Sequence, residues 1–474
     1  MSLSPSMRLS QIVFPYRRIL VFAAACLAGG CAVGPQYQRP SAAEPAVYKE
    51  AQGWSPAAPA DALNRGPWWT LFNDPVLNEL AASVQVSNQN VAIAAAAYAQ
   101  ARAFVSQQRA AMFPVVSLDG SANRTGGAGR NSTGNNFALN LGTTWEPDVW
   151  GRLSRSVDSA GATAQASAAD LASALLSAQG ELAVDYFSLR QTDAQRALLA
   201  DTIAGYQRVL QVTQNRYAAG VAAKTDLLQA QTQLANTQAD DIDLVRQRAL
   251  FEHAIAVLVG KAPGEFALPA APWQSTVPEV PVGVPSTLLQ RRPDIAAAER
   301  RVAAANEQIG IAQSAFYPNL SLSASYGSGA STVANLLNVS NSVWSLGLSA
   351  AQVLFNGGAT RARVEGAQAA HEQTVARYRQ TVLTAFQNVE DELAATRVLA
   401  QQQELRRQAS QAADEAEAKL LNQYRAGRVS FIEVFTAQAS ALTARRALIQ
   451  LQANRQVTAI SLIQSLGGGW HIEQ

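Results

Sequence analysis

Hydrophobic positions recur at the helical period along most of the chain and switch to a period of two in only two places. From about Val76 to Met112 the pattern predicts one helix, and its alanine-rich middle, Val91 to Ala103, would let neighbouring helices approach closely. At Phe113-Pro114 the period changes. Leu118, Gly120 and Ala122 alternate with Ser117, Asp119, Ser121 and Asn123; beyond a loop rich in Gly, Asn and Ser, Phe137, Leu139 and Leu141 alternate with Ala138, Asn140 and Gly142. This predicts a hairpin with one apolar and one polar face. The stretch from Trp145 to Arg152 leads out of it, and from about Ser154 to Tyr217 the helical period returns without a proline. Leu171, Leu175, Ala178, Leu182, Tyr186 and Leu189 share a stripe there. At 1.5 Å per residue such a helix reaches roughly 95 Å, more than a compact core requires. A return helix, about Thr225 to Val259, carries Leu227, Leu234, Ile242, Val245 and Ala249.

The same order then repeats. A helix from about Asp294 ends at Phe316-Tyr317-Pro318, as Met112-Phe113-Pro114 ended the first. Leu320, Leu322, Ala324 and Tyr326 alternate with Asn319, Ser321, Ser323 and Ser325, and Trp344, Leu346 and Leu348 with Ser345, Gly347 and Ser349. Leu354-Phe355-Asn356-Gly357-Gly358 stands where Val149-Trp150-Gly151 stood. A second proline-free helix runs from about Ala359 to Tyr424 with Val375, Tyr378, Val382, Phe386, Val389 and Leu393 on one face, and a last helix reaches about Leu466. The turns between the long helices match best: Tyr217, Gly220 and Asp226 recur as Tyr424, Gly427 and Glu433, about 207 positions on. Each has a glycine free to take positive φ past a helix C-terminus and a Thr or Ser, Thr225 or Ser430, able to cap the next helix. The expected organisation is a tandem duplication: residues 68–260 (strands at about 115–147), a proline-rich connector 261–286, residues 287–466 (strands at about 319–354) and a tail 467–474.

Composition narrows the function. With 48% hydrophobic and 15% charged residues and a net charge of +2, the chain can bury extensive core and gives no electrostatic reason to bind nucleic acid. Arg8, Arg17 and Arg18 precede a short apolar run, Ile19 to Leu27, then Ala28-Gly29-Gly30-Cys31. Residues 1–30 read as a secretory signal, too short in its apolar part to span a membrane. Small residues before Cys31 resemble a bacterial lipobox, so Cys31 is expected to carry a lipid; Ala32 in place of Asp favours outer-membrane sorting. Residues 31–67, rich in Pro and Ala, read as an extended arm. Three scattered histidines, His253, His371 and His471, suggest no metal site, and there is no phosphate loop or nucleophile elbow. No cofactor and no enzymatic activity are expected.

Strands of about ten residues with one apolar and one small or polar face match those of outer-membrane barrels. Four strands alone would leave two unpaired edges in hydrocarbon, so other copies must complete the barrel. Two copies give eight strands, filled by side chains; three give twelve and room for a lumen.

Several segments resemble the TolC-like outer-membrane factor family, and most closely its NodT and OprM type lipoprotein branch. These are Cys31 to Pro40, Trp68-Trp69, Asp74-Pro75, Trp145-Glu146-Pro147-Asp148, Pro285-Ser286, Leu288-Leu289, Arg291-Arg292-Pro293-Asp294-Ile295, Ala315 to Pro318 and both glycine turns. The resemblance covers essentially the whole mature chain. It implies a mainly α chain with a small β part, forming a homotrimer with a twelve-stranded transmembrane barrel continued by a long periplasmic helical barrel. It also implies passive export of substrates handed on by an inner-membrane pump, of the RND type, through a periplasmic adaptor. In relatives the turn region meets the adaptor and constricts the tunnel. Carried over by alignment, that tip comprises Gly220, Asp226, Gly427, Ile432, Glu433 and Thr436, with Ile432 at the apolar gate position and Thr436 where many relatives have aspartate, leaving Glu433 as the nearest acid. The competing reading is a lipid-anchored periplasmic helical scaffold without a channel, distinguished by whether the oligomer conducts ions.

Overall fold

The computed structural model describes residues 33–42, 45, 47–50, 67–126, 134–278, 280 and 291–468. Helices α1 (Pro75–Ser87) and α2 (Gln89–Ala110) precede strands β1 (Val115–Thr125) and β2 (Gly134–Trp145). Helices α3 (Arg152–Ala218) and α4 (Lys224–Leu258) complete the first copy. Helix α5 (Pro293–Ser314), strands β3 (Asn319–Ala330) and β4 (Ser342–Ala351), and helices α6 (Ala359–Arg425) and α7 (Phe431–Ser465) form the second. Three helix pairs of the repeat match in length: α3 and α6 have 67 residues each, α4 and α7 have 35 each, and α2 and α5 have 22 each.

The structure corrects the sequence reading in two places. The helix expected from Val76 to Met112 is broken at Asn88, whose backbone is extended (ψ 125°). The Asn88 side chain accepts from the N–H groups of Asn90 and Val91, capping α2, and donates to the Leu258 carbonyl at 2.8 Å. A cap satisfying two orphan donors, plus a buried tertiary hydrogen bond, outweighs helix continuity. Second, Thr225 does not cap α4; Ala223 occupies that position without a side-chain bond. Within the single chain Ile242 and Val245 of α4 are exposed, and the buried positions before its last turn are Ala230, Thr237 and Leu244. These recur every seven residues, the spacing of a coiled-coil seam.

Contacts divide the chain into two compact units, each drawing on both copies. The first holds the described residues up to 41 with 99–166 and 298–378. It contains the sheet and the start of the arm. Gly34, at φ 119°, lies so close to α5 that a Cβ would stand 2.5 Å from the Cα of Gly310. The Pro35 carbonyl accepts from Arg155 and Asn306, and the Tyr37 hydroxyl donates to Glu299 at 2.7 Å.

The second unit holds the described residues of 42–98 with 167–297 and 379–468. Here Trp68, Trp69 and Phe72 pack edge to face, and Phe72 meets Phe187 with ring centroids 5.0 Å apart. Asp74 caps α1 through Val76 and Leu77 and accepts from the Tyr186 hydroxyl at 2.6 Å. The Arg-Arg-Pro-Asp-Ile segment has a similar mechanical role. Arg292 forks onto the Asp294 carboxylate and donates to the carbonyl of Ser465, tying the start of α5 to the end of α7. Ala178, Leu182, Tyr186 and Leu189 of α3 and Tyr378 to Leu393 of α6 supply buried stripes to their units where the helical period put them.

Candidate functional site

The first candidate is the sheet, whose strand order is β1-β2-β3-β4, all antiparallel. Residues directly opposite one another share a face. Leu118 pairs with Leu141, Leu141 with Tyr326 and Tyr326 with Trp344, one continuous apolar row. Trp145, Leu322 and Leu348 form another, and Leu139, Phe137, Leu320 and Leu346 follow at the same parity. The apolar positions read from the alternation therefore all lie on one face. The other carries Ser117, Asp119, Ser121, Asn123, Asn140, Ser321, Ser323, Ser325, Ser345 and Ser349. The apolar face is uncovered in the chain: Leu118 is 67% exposed, Trp344 75% and Leu346 74%. β1 and β4 each pair on one side only. At the base of the sheet Trp145 donates its indole N–H to the Met112 carbonyl, and Gln352 donates to Phe316 in the matching place of the second copy. Trp150 stacks on Tyr317 at 4.8 Å and donates to the Pro318 carbonyl.

The second candidate is the turn cluster. Gly220 and Gly427 have φ of 75° and 72°. A Cβ at either would meet no atom within 4 Å, so the requirement for glycine is purely one of backbone conformation. Ser430 opens α7, and the Glu433 carboxylate accepts from its backbone N–H (3.1 Å) and its hydroxyl (2.9 Å). Glu433 is thus engaged in its own helix start. Ile432 is 48% exposed, and its carbonyl accepts from the Thr436 hydroxyl at 2.8 Å. Ile432, Glu433 and Thr436 line one shallow groove of about 440 Å³ with Ala413, Ala416 and Leu420 of α6. Asp226 sits in the first turn of α4 and is not among its lining residues.

Beneath the groove the two turns grip each other through Tyr424, which the repeat had marked, and through Thr213, Arg216 and Phe431, which the sequence reading did not single out. Tyr424, only 2% exposed, packs against Phe431 at 5.8 Å and under the Arg216 guanidinium at 4.6 Å. Its hydroxyl lies 3.2 Å from that of Thr213, and Arg216 also donates to its carbonyl. The equivalent Tyr217 is 42% exposed, so the duplicated turns are not interchangeable. A signal for this asymmetry was Phe431, an aromatic where the first copy has Lys224. Cys31 lies outside the described residues. Among the described residues no group of His, Cys, Asp or Glu is placed to hold a metal ion, and no helix is long and apolar enough to cross a membrane.

The profile of the outer membrane efflux protein family matches residues 80–261 and again 284–468, one match per copy of the duplication. The chain belongs to the outer membrane efflux protein family. Its relatives include the probable efflux pump outer membrane protein TtgC of Pseudomonas putida, 31% identical over 460 residues and 94% of each chain. The cation efflux system protein CusC of Escherichia coli is 28% identical over 457 residues, 96% of this chain and 99% of its own. The structure of the outer-membrane channel OprN superposes with a TM-score of 0.86 at 29% identity, covering 93% of this chain and 100% of that one. The relatives are channel proteins of efflux systems rather than enzymes, and the four-stranded sheet and duplicated long helices are this family's fold. The protein is an outer-membrane channel component of an efflux system.

Proposed function

We propose that three copies of the chain close one twelve-stranded barrel in the outer membrane, through which substrates pass passively to the outside. The observation that carries this reading is the open sheet. Its apolar face is exposed and both edges are unpaired, a combination that hydrocarbon tolerates only when neighbouring copies pair the edges. Twelve strands leave a lumen where eight would be filled. The polar serine- and asparagine-rich face then lines the duct. The names of TtgC and CusC, an efflux pump protein and a cation efflux system protein, support a pump partner; in this proposal it is an inner-membrane pump of the RND type that hands substrates on through a periplasmic adaptor. Cys31 carries an N-terminal lipid as a second anchor, and the protein needs no cofactor. The groove around Ile432, Glu433 and Thr436, with the turns at Gly220, Asp226 and Gly427, forms the periplasmic tip, where the duct narrows and the adaptor docks.

Native mass spectrometry of the detergent-extracted protein, followed by planar-bilayer recording of the same sample, tests this. Three copies per particle with ion conductance are expected. A non-conducting particle would favour the scaffold reading, and a two-copy particle would overturn the twelve-stranded barrel.

A further inference from the structure

The polar face of the sheet carries a single charged residue among the described positions of all four strands, Asp119. Its row across the sheet is Asp119, Asn140, Gly327 and Val343. Within its own strand Ser117 donates to its carboxylate at 3.1 Å, and Ser121 follows on the same face. The other strand charge, Arg124, pairs with Asn135 at the opposite parity and so belongs to the apolar face. β3, β4 and the loop between them contribute no charge: the sequence from Gln308 to Thr360 contains no Asp, Glu, Lys, Arg or His.

The duplication extends this inventory across the open edges. The first hairpin opens with Val115 opposite Thr144 and the second with Asn319 opposite Ala351, so these positions correspond between copies. Between β2 and β3, Thr144 pairs with Ser323. Applied to the edges, the same register sets Ala351 of the next copy opposite Asp119. The neighbouring strand therefore also brings no countercharge to the row.

We propose that Asp119 determines the ionic preference of the barrel. This rests on the duct reading above: three copies place three carboxylates at one height on an otherwise neutral wall. A ring of like charge in a water-filled lumen bounded by low-dielectric protein raises the local concentration of the opposite ion and disfavours its own sign. The lumen favours cations and cationic cargo over anions. Hydrogen bonding by Ser117 holds the carboxylate against the wall, so the ring leaves the passage open.

The experiment is the reversal potential of single channels in a salt gradient for the wild type, Asp119→Asn, Asp119→Lys and Arg124→Gln. Cation preference is expected in the wild type, its loss in Asp119→Asn and a reversal of sign in Asp119→Lys. Arg124→Gln, on the lipid-side parity, should match the wild type. If all four channels show one reversal potential, Asp119 sets no preference although the duct stands. If Arg124→Gln shifts it as much as Asp119→Asn does, the assignment to the lumen ring is wrong. Absence of conductance from every protein would overturn the duct reading itself and the ring with it.

Discussion

At the scale of single residues, two positions carry separable physical costs. Gly427 takes φ 72° with open space around it, so a side chain there is penalised only through the left-handed backbone. That costs about 1 to 2 kcal/mol for an ordinary residue, and a β-branched one fares worst. Gly427→Val should therefore distort the tip and abolish export while heat-stable oligomers still form; export at the wild-type level would show that the turn tolerates the change. Asp185, on α3 in the second unit, differs in kind. Burial first, and then the Glu181 carboxylate one turn away, push its pKa up to about 6 from an ordinary 3.8. An acid raised in the folded state binds its proton more tightly there than in the unfolded chain. Its contribution is thus favourable at low pH and is lost as pH rises through that interval. Asp185→Asn should raise the thermal midpoint at pH 7 and flatten its decline between about pH 4 and 6. Parallel profiles for the two proteins would locate the pH dependence elsewhere.

At the scale of elements, the period-two alternation was sufficient to assign faces, because a strand turns successive side chains to opposite sides whatever packs on it. An arginine at Leu346, on the exposed apolar face, should cost about 2 to 4 kcal/mol near the bilayer midplane, whereas Ser323→Arg on the polar face should be tolerated. Equal losses of oligomer yield would mean that both faces are packed against protein. The long helices were legible for the same kind of reason: an uninterrupted proline-free stripe, repeated at one offset. What stayed hidden depended on distant partners. Asn88 breaks a helix by donating to Leu258, far along the chain, and Arg216 finds Tyr424 across two turns. No local pattern encodes either contact. Nor does composition reveal the seam that α4 buries within its own chain, which runs through Ala230, Thr237 and Leu244, two of them small or polar. The candidate tip was only half legible. Its glycines announced themselves by position, but nothing local told that Glu433, read as the acid nearest the gate, spends its carboxylate on Ser430.

At the scale of the whole molecule, anchoring and gating are separate questions. A lipidated cysteine tethers one point of the chain, whereas a closed barrel is held by its entire apolar girdle. Cys31→Ser should accordingly abolish labelling by a radioactive fatty acid without reducing the yield of membrane-inserted trimers; if trimers vanish with the label, the lipid is needed for assembly rather than for supplementary anchoring. Gating turns on Ile432. Its side chain is half exposed on a shallow groove, its neighbours Glu433 and Thr436 are occupied by hydrogen bonds within their own helix, and the turn beneath is pinned by Tyr424, Phe431 and Arg216. A rigid base presenting one free apolar side chain, repeated around a threefold axis, makes a constriction that excludes water and resists ions without any charge. Replacing that side chain with a small hydroxyl wets the constriction and leaves the packed base untouched. Ile432→Ser should therefore raise single-channel conductance while trimer thermal stability stays at the wild-type value. A variant with higher conductance and weakened trimers would indicate general loosening, and one with unchanged conductance would place the narrowest point elsewhere along the duct.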